Sequence, residues 1–228
     1  MFTILRERLK RMSKIYLCSP KEFDGVESLP TIEFKRVVDS LELDRFDSLL
    51  FTSKQAILYS EELNPSWRDK KILAVGEATR KLAKELGAKD IYSPKNYYGK
   101  ELAKDIVRLF FDKKILYIRP KIISFNSKEY LAKFGINIEE KIIYETKCKE
   151  YKEKNLQKDS IIIFTSPSTI RCFFKSFKWD RSFKAVVIGS STLDNIPNEV
   201  EKVYIANRPT IKSCIEKAIE IERNLKKM

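Results

Sequence analysis

Histidine is absent from all 228 positions of this chain. That removes the Ser-His-Asp and Cys-His nucleophile systems, the HExxH metal motif and the side chain that most often moves protons near neutral pH. Any chemistry must proceed without imidazole. Glycine is scarce as well. Its six residues, at 25, 76, 87, 99, 135 and 189, form neither GxGxxG nor GxxxxGK[ST], so no glycine-cradled pyrophosphate is available. Cys18, Cys148, Cys172 and Cys214 stand far apart with no CxxC pair. Neither a zinc site nor a disulfide framework is indicated, and a reducing cytosol is expected. No stretch approaches the ~18 apolar residues that span a bilayer. Residues 1–14 place Ile4, Leu5, Leu9 and Met12 at helical spacing but are too rich in Lys and Arg for a signal peptide. They predict a short helix capping the domain, with Met12 an alternative start, in a soluble cytoplasmic protein.

What is present is a long, basic, core-forming chain. With 43% hydrophobic residues it can build one large core or two modest ones of about 100 residues each. Lys and Arg outnumber Asp and Glu by 45 to 32, a net charge of +13 that steers negatively charged partners. The charges alternate along most of the chain, as in Lys81–Lys84–Glu85 and Glu101–Lys104–Asp105. That pattern suits solvated helix faces better than a nucleic-acid stripe.

The chain repeats itself. Asp47-Ser-Leu-Leu-Phe-Thr-Ser53 returns as Asp159-Ser-Ile-Ile-Ile-Phe-Thr-Ser166, and Ile72-Leu-Ala-Val-Gly76 returns as Ala185-Val-Val-Ile-Gly189. Thr52 and Thr165, like Gly76 and Gly189, are 113 residues apart (165 − 52, 189 − 76). Ile91-Tyr92 answers Val203-Tyr204, and Lys14-Ile-Tyr-Leu-Cys-Ser-Pro20 weakly answers Lys114-Ile-Leu-Tyr-Ile-Arg-Pro120. Several matches in one register indicate duplication. Continuous Ile/Val/Leu runs at 15–18, 49–51, 72–75, 115–118, 161–164 and 185–188 predict strands covered on both faces. Helical spacing appears at Ala78/Leu82/Leu86, at Ile170/Phe173/Phe174/Phe177 and at Ile211/Ile215/Ala218/Ile219. The expected fold is α/β, with two similar doubly wound parallel-sheet lobes.

In such sheets ligands bind beyond the carboxyl ends of the strands, where the next helix offers unpaired N–H groups. Four strand-to-helix junctions carry hydroxyls: Thr52-Ser53, Gly76-Glu77-Ala-Thr79, Thr165-Ser166-Pro-Ser168 and Gly189-Ser190-Ser191-Thr192. Each alone reads as a helix N-cap, with Pro167 at a first helical position. Taken together they form a divided set of N–H and O–H donors suited to several carboxylates or phosphates. Tyr144, in Lys141-Ile-Ile-Tyr-Glu-Thr146, reads by itself as a packing residue near a lobe boundary.

Phe51-Thr-Ser53, Ala74-Val-Gly-Glu-Ala-Thr79, Leu116-Tyr-Ile-Arg119, Ile143-Tyr-Glu-Thr146, Ile163-Phe-Thr-Ser-Pro-Ser168, Ile188-Gly-Ser-Ser-Thr192 and Arg208-Pro-Thr210 follow one another in a recognisable order. In that order and spacing the chain resembles the uroporphyrinogen-III synthases from about Lys14 onward. The resemblance implies one lobe from residues 1–33 and 146–228 and another from 34–145. Antiparallel linker strands near 31–35 and 142–146 would join them, with the cleft between. It further implies a linear octacarboxylate tetrapyrrole, hydroxymethylbilane, as substrate and uroporphyrinogen III as product, with no cofactor, metal, nucleic acid or membrane partner, in a monomer.

Carried onto matching positions, the resemblance makes Tyr144 the residue assisting departure of the substrate hydroxyl. Thr52, Ser53, Gly76, Glu77, Arg119, Thr165, Ser166, Ser168, Gly189, Ser190, Ser191 and Thr192 become the substrate-binding set. The chain departs from the family at Cys18-Ser19, where Thr-Arg is usual, so a basic contact there falls to Lys21 or is absent. Its Gly189-Ser-Ser-Thr192 stands for Gly-x-Thr-Thr, with Ser191 keeping the hydroxyl. The rival readings are a two-lobed binding protein for a polyanion, which would close on its ligand without turnover, and a nucleic-acid-binding protein.

Overall fold

The computed structural model describes residues 13–95, 99–152 and 155–225. The helix expected around Ile4, Leu5, Leu9 and Met12 lies outside them. In chain order the elements are β1 (Ile15–Cys18), β2 (Glu27–Ser28), β3 (Ile32–Arg36), β4 (Ser48–Phe51), α1 (Lys54–Leu63), β5 (Lys71–Ala74), α2 (Glu77–Glu85), β6 (Ile91–Tyr92) and α3 (Gly99–Leu109). There follow β7 (Ile115–Pro120), α4 (Ser127–Ala132), β8 (Glu139–Cys148), β9 (Ile161–Phe164), α5 (Pro167–Ser176), β10 (Lys184–Val187), α6 (Ser190–Leu193), β11 (Val203–Ile205) and α7 (Ile211–Leu225). The chain divides into two compact units, one of Met1–Glu33 with Lys147–Met228, the other of Phe34–Thr146.

In the 34–146 unit the sheet order is β3-β8-β7-β4-β5-β6. The pairs β4–β5, β4–β7, β5–β6 and β7–β8 are all parallel. The period-two alternation of a strand decides what each face meets. Leu49, Phe51, Ile72, Ala74, Leu116 and Ile118 face a cluster with Ala56, Ile57, Trp67 and Ala83. Leu50, Leu73, Ile115 and Tyr117 face the opposite cluster, with Leu102, Ala103, Ile106 and Leu131. Helices α1 and α2 thus cover one side and α3 and α4 the other. Strands with no solvated face explain the continuous apolar runs read from the sequence.

In the other unit the order is β11-β10-β9-β1-β2, again parallel. Tyr16, Cys18, Ile162, Phe164, Ala185 and Val187 pack against Ile170, Phe173 and Phe177 of α5 and its end. Leu17, Ile161, Ile163 and Val186 pack against Cys214, Ala218 and Ile221 of α7. The duplication holds element by element. β9, α5 and β10 begin and end 113 residues after β4, α1 and β5 (161 − 48, 167 − 54, 184 − 71), and α6 begins 113 after α2 (190 − 77). The strand beside β9 is β1, from the start of the chain, whereas its counterpart beside β4 is β7, which follows in sequence. In both units the strand order therefore reverses beside the first strand of the repeat, at β4–β7 and at β9–β1. That reversal is where a doubly wound sheet opens a crevice for ligand.

Candidate active site

Thr52 and Ser53 continue β4 past its carboxyl end, at the reversal point. Because side chains alternate, Thr52 projects toward the face that holds Tyr117 and Ser53 toward the face that holds Tyr144. The Thr52 Oγ1 lies 3.0 Å from the Tyr117 hydroxyl. The Ser53 Oγ lies 2.9 Å from the Tyr144 hydroxyl. Ser53 is also the N-cap of α1 and accepts the Ala56 N–H at 3.2 Å. Tyr144 reaches this place through an irregularity in β8: the β7–β8 register shifts between Arg119 and Pro120, so that Pro120 pairs with Tyr144. Its ring meets Phe34 edge-on at 5.7 Å and Tyr59 at 5.8 Å. Burial pushes the phenol pKa of Tyr144 above its ordinary value, partly offset by the Ser53 hydrogen bond, and burial does the same for Tyr117 against the Thr52 bond. Both phenols are protonated at neutral pH.

The matching junction in the other unit is built differently. The Thr165 hydroxyl donates to the Cys18 carbonyl at 3.3 Å, across the β9–β1 reversal. Ser166 caps α5 in a reciprocal box with Thr169, with Pro167 in the first turn. The Thr169 hydroxyl also receives the Thr165 and Ser166 N–H groups, each at 3.2 Å. Ser168, half-buried in the first turn, has no hydrogen bond from its hydroxyl among the described residues. The Thr165 hydroxyl is thus committed to the Cys18 carbonyl, whereas Ser166, whose Oγ accepts, and Ser168 keep their O–H hydrogens. Ser166→Ala is expected to remove one cap contact, about 1 kcal/mol. It should lower the melting temperature by about 2–4 °C, which differential scanning calorimetry would read.

The two glycine-led junctions differ from each other too. Gly76 has φ +89, a left-handed value that favours glycine, whereas Gly189 at φ 177 is simply extended. After each glycine two residues are exposed and the third turns inward: Glu77 and Ala78 before buried Thr79, Ser190 and Ser191 before Thr192. Thr192, expected to hold a carboxylate, is 1% exposed. Three residues into a helical turn places its side chain back over the sheet, while Ser190 and Ser191 stay exposed.

A family model described as uroporphyrinogen-III synthase HemD matches residues 25–216. The chain belongs to the uroporphyrinogen-III synthase family. The porphyrin biosynthesis protein HemD of Ruminiclostridium josui is 27% identical over 234 aligned positions, covering 95% of this chain and 46% of that protein. The chain therefore spans about half the length of that relative. A uroporphyrinogen-III synthetase structure from Helicobacter pylori aligns at 24% identity over 92% of this chain and 100% of that one, TM-score 0.78. A mutant uroporphyrinogen III synthase from Thermus thermophilus aligns at 13% identity over 95% and 100%, TM-score 0.57. At these identities the two structures establish a common fold.

In this member of the synthase family the expectation for two of the cysteines needs correction, and Arg119 is found in an ion pair. Arg119, expected to meet substrate, forms an ion pair with Glu140 at 2.9 Å, its side chain 14% exposed, and donates to the Pro120 carbonyl. A guanidinium so paired ties β7 to β8 and leaves little for a ligand. Cys148 and Cys172, expected to be free, form a disulfide between the end of β8 and α5. Sequence spacing carries no sign of it, because the 24-residue separation is closed by the fold alone. In the sequence Tyr117 is one letter of the Leu116–Arg119 motif; only the face it shares with Thr52 singles it out. Among the described residues no helix is long and apolar enough to cross a membrane.

Burial raises the phenol pKa of Tyr59, Tyr92, Tyr117, Tyr144 and Tyr151. Their folded-state values lie above the unfolded value of about 10, so above about pH 10 the unfolded chain loses these protons first. Stability is then full below that pH and falls as pH rises through it. Urea titrations at pH 8 and pH 11 should show the fall, and Tyr117→Phe should make it shallower.

Proposed function

We propose that this chain is a hydro-lyase that closes hydroxymethylbilane to uroporphyrinogen III. The observation that carries the reading is the Ser53–Tyr144 hydroxyl pair at the β4 reversal point of a chain in this family. In the first step the bond from carbon to the terminal hydroxyl breaks as the pyrrole nitrogen's electrons form an exocyclic double bond. The hydroxide and the pyrrole N–H proton depart together as water. The substituted carbon of ring D then attacks the new electrophile, and a spiro intermediate rearranges to the inverted macrocycle. The substrate's own nitrogen drives the departure, so no imidazole is needed. A protonated phenol system beside the leaving oxygen stabilises the charge that develops there.

The larger task is geometric, since uninverted closure competes in solution and a folded substrate must react faster than a free one. Ser53 and Thr52 in one unit would serve substrate carboxylates, and so would Ser168, Ser190 and Ser191 of the other unit, with Lys21 near the end of β1. The net charge of +13 would speed encounter with an octacarboxylate. Arg119, held by Glu140, is given no substrate contact. A cytoplasmic monomer is part of the same reading.

Ser168→Ala and the double change Ser190→Ala with Ser191→Ala should each raise KM for the bilane about threefold to tenfold, the scale of one hydrogen bond. A KM unmoved by every change in the 147–228 segment would confine binding to the other unit and contradict the reading.

A further inference from the structure

We infer that Ser53, not Tyr144, is the donor that touches the reacting end of the substrate, and that Tyr144 is a positioning residue acting through it. This rests on the proposed ring closure and assigns the roles within it. Tyr144 is 4% exposed, and among the described residues its hydroxyl has one partner, the Ser53 Oγ. Were Ser53 the donor in that pair, the phenol hydrogen would be buried with no acceptor, which costs about 1–3 kcal/mol. The phenol therefore donates to Ser53.

A serine oxygen has two lone pairs. One takes the Tyr144 hydrogen and the other the Ala56 N–H at 3.2 Å. Its acceptor capacity is then full, and its own hydrogen, on a half-buried side chain, is directed to whatever stands beyond the end of β4. Ser53 is built as a one-way donor. It can meet an oxygen acceptor such as a departing hydroxyl or a carboxylate, and it cannot act as a base. Donation from the phenol further polarises the serine O–H, since hydrogen bonds in a chain strengthen one another.

The equivalent serine, Ser166, lacks this arrangement. Its Oγ accepts the Thr169 N–H, no tyrosine stands behind it among the described residues, and the unit's second hydroxyl is spent on the Cys18 carbonyl. Thr52 has half of it: Tyr117, 1% exposed, with Thr52 as its one hydroxyl partner among the described residues, donates to Thr52 Oγ1 by the same reasoning and leaves that oxygen one lone pair. The two tyrosines arrive from β7 and β8, one on each face of the sheet, and serve consecutive residues. The duplicated scaffold is thus specialised in one unit only.

The test is a mutant cycle on the intact chain with freshly generated hydroxymethylbilane, reading kcat and KM separately. Tyr144→Phe is expected to lower kcat about tenfold, the worth of one hydrogen bond in the transition state. In a Ser53→Ala background the same change should lower kcat less than about twofold, because the residue it acts through is gone. Ser53→Asp keeps the cap for α1 and accepts from Tyr144 but has no hydrogen to give. It should match Ser53→Ala in kcat, about tenfold or more below wild type, while keeping the wild-type melting temperature; Ser53→Thr should restore most of the rate. A full effect of Tyr144→Phe in the Ser53→Ala background, or wild-type kcat in Ser53→Asp, would overturn the assignment while leaving the ring-closing activity intact. A wild-type chain that makes no uroporphyrinogen III would overturn the activity and this assignment together.

Discussion

Tyr144→Phe is expected to leave a folded protein whose turnover is lowered about tenfold, with KM little changed. The ring stays packed against Phe34 and Tyr59, so the aromatic contacts survive. What is lost is the hydrogen bond between the phenol and Ser53, and Ser53, being half-buried, can take a water in its place. Because burial holds the phenol pKa above its ordinary value, its contribution should be constant from about pH 6 to 9. A kcat profile that loses activity with a midpoint below about pH 9 would point to another group. Steady-state rates across that range, together with a circular dichroism melt, decide the matter.

Reduction of Cys148–Cys172 is expected to cost more stability than any single hydroxyl change considered above. The bond closes a chain segment of 24 residues, and the loop-entropy relation assigns about 3.5 kcal/mol to a loop of that length. For a chain of this size that is a fall of about 7–14 °C in melting temperature. The bond ties the end of β8 to α5, the helix whose first turn holds Ser166, Ser168 and Thr169. Cys18 and Cys214 complicate nothing: both are buried, and burial raises their thiol pKa, that of Cys214 to about 11. Thiol titration of the native chain should find no fast-reacting group, the denatured chain two, and the denatured and reduced chain four, from the two free and two bonded cysteines. Fast reaction in the native state, or four thiols without reductant, would contradict the pairing.

The strands were readable because their signal is local. Ile161–Phe164 and Lys184–Val187 lie covered on both faces, and in the first of these no polar residue interrupts the run. The register of 113 was readable for the same reason, since duplicated elements carry duplicated patterns, and β4, α1 and β5 share their lengths with β9, α5 and β10. The candidate site was legible as far as the junctions, because Ser and Thr before a helix are local features. Which hydroxyls are free was not. Thr165 is used by Cys18, 147 residues away, and Thr52 meets Tyr117 across 65. Arg119 looked like a ligand contact because its partner Glu140 lies on a neighbouring strand that sequence cannot align with it. Thr192 looked available because the phase of a four-residue helix cannot be read from so few residues. Each of these placements is a pairing between distant parts of the chain or a phase too short to read from sequence.

The central claim is that this chain imposes the inverted ring closure. Its most direct measurement is to incubate the purified chain with freshly made hydroxymethylbilane, oxidise the product to porphyrin, and separate the type I and type III isomers by chromatography. Type III is expected to dominate, with buffer alone yielding type I. Type I in both, at equal rates, would contradict it.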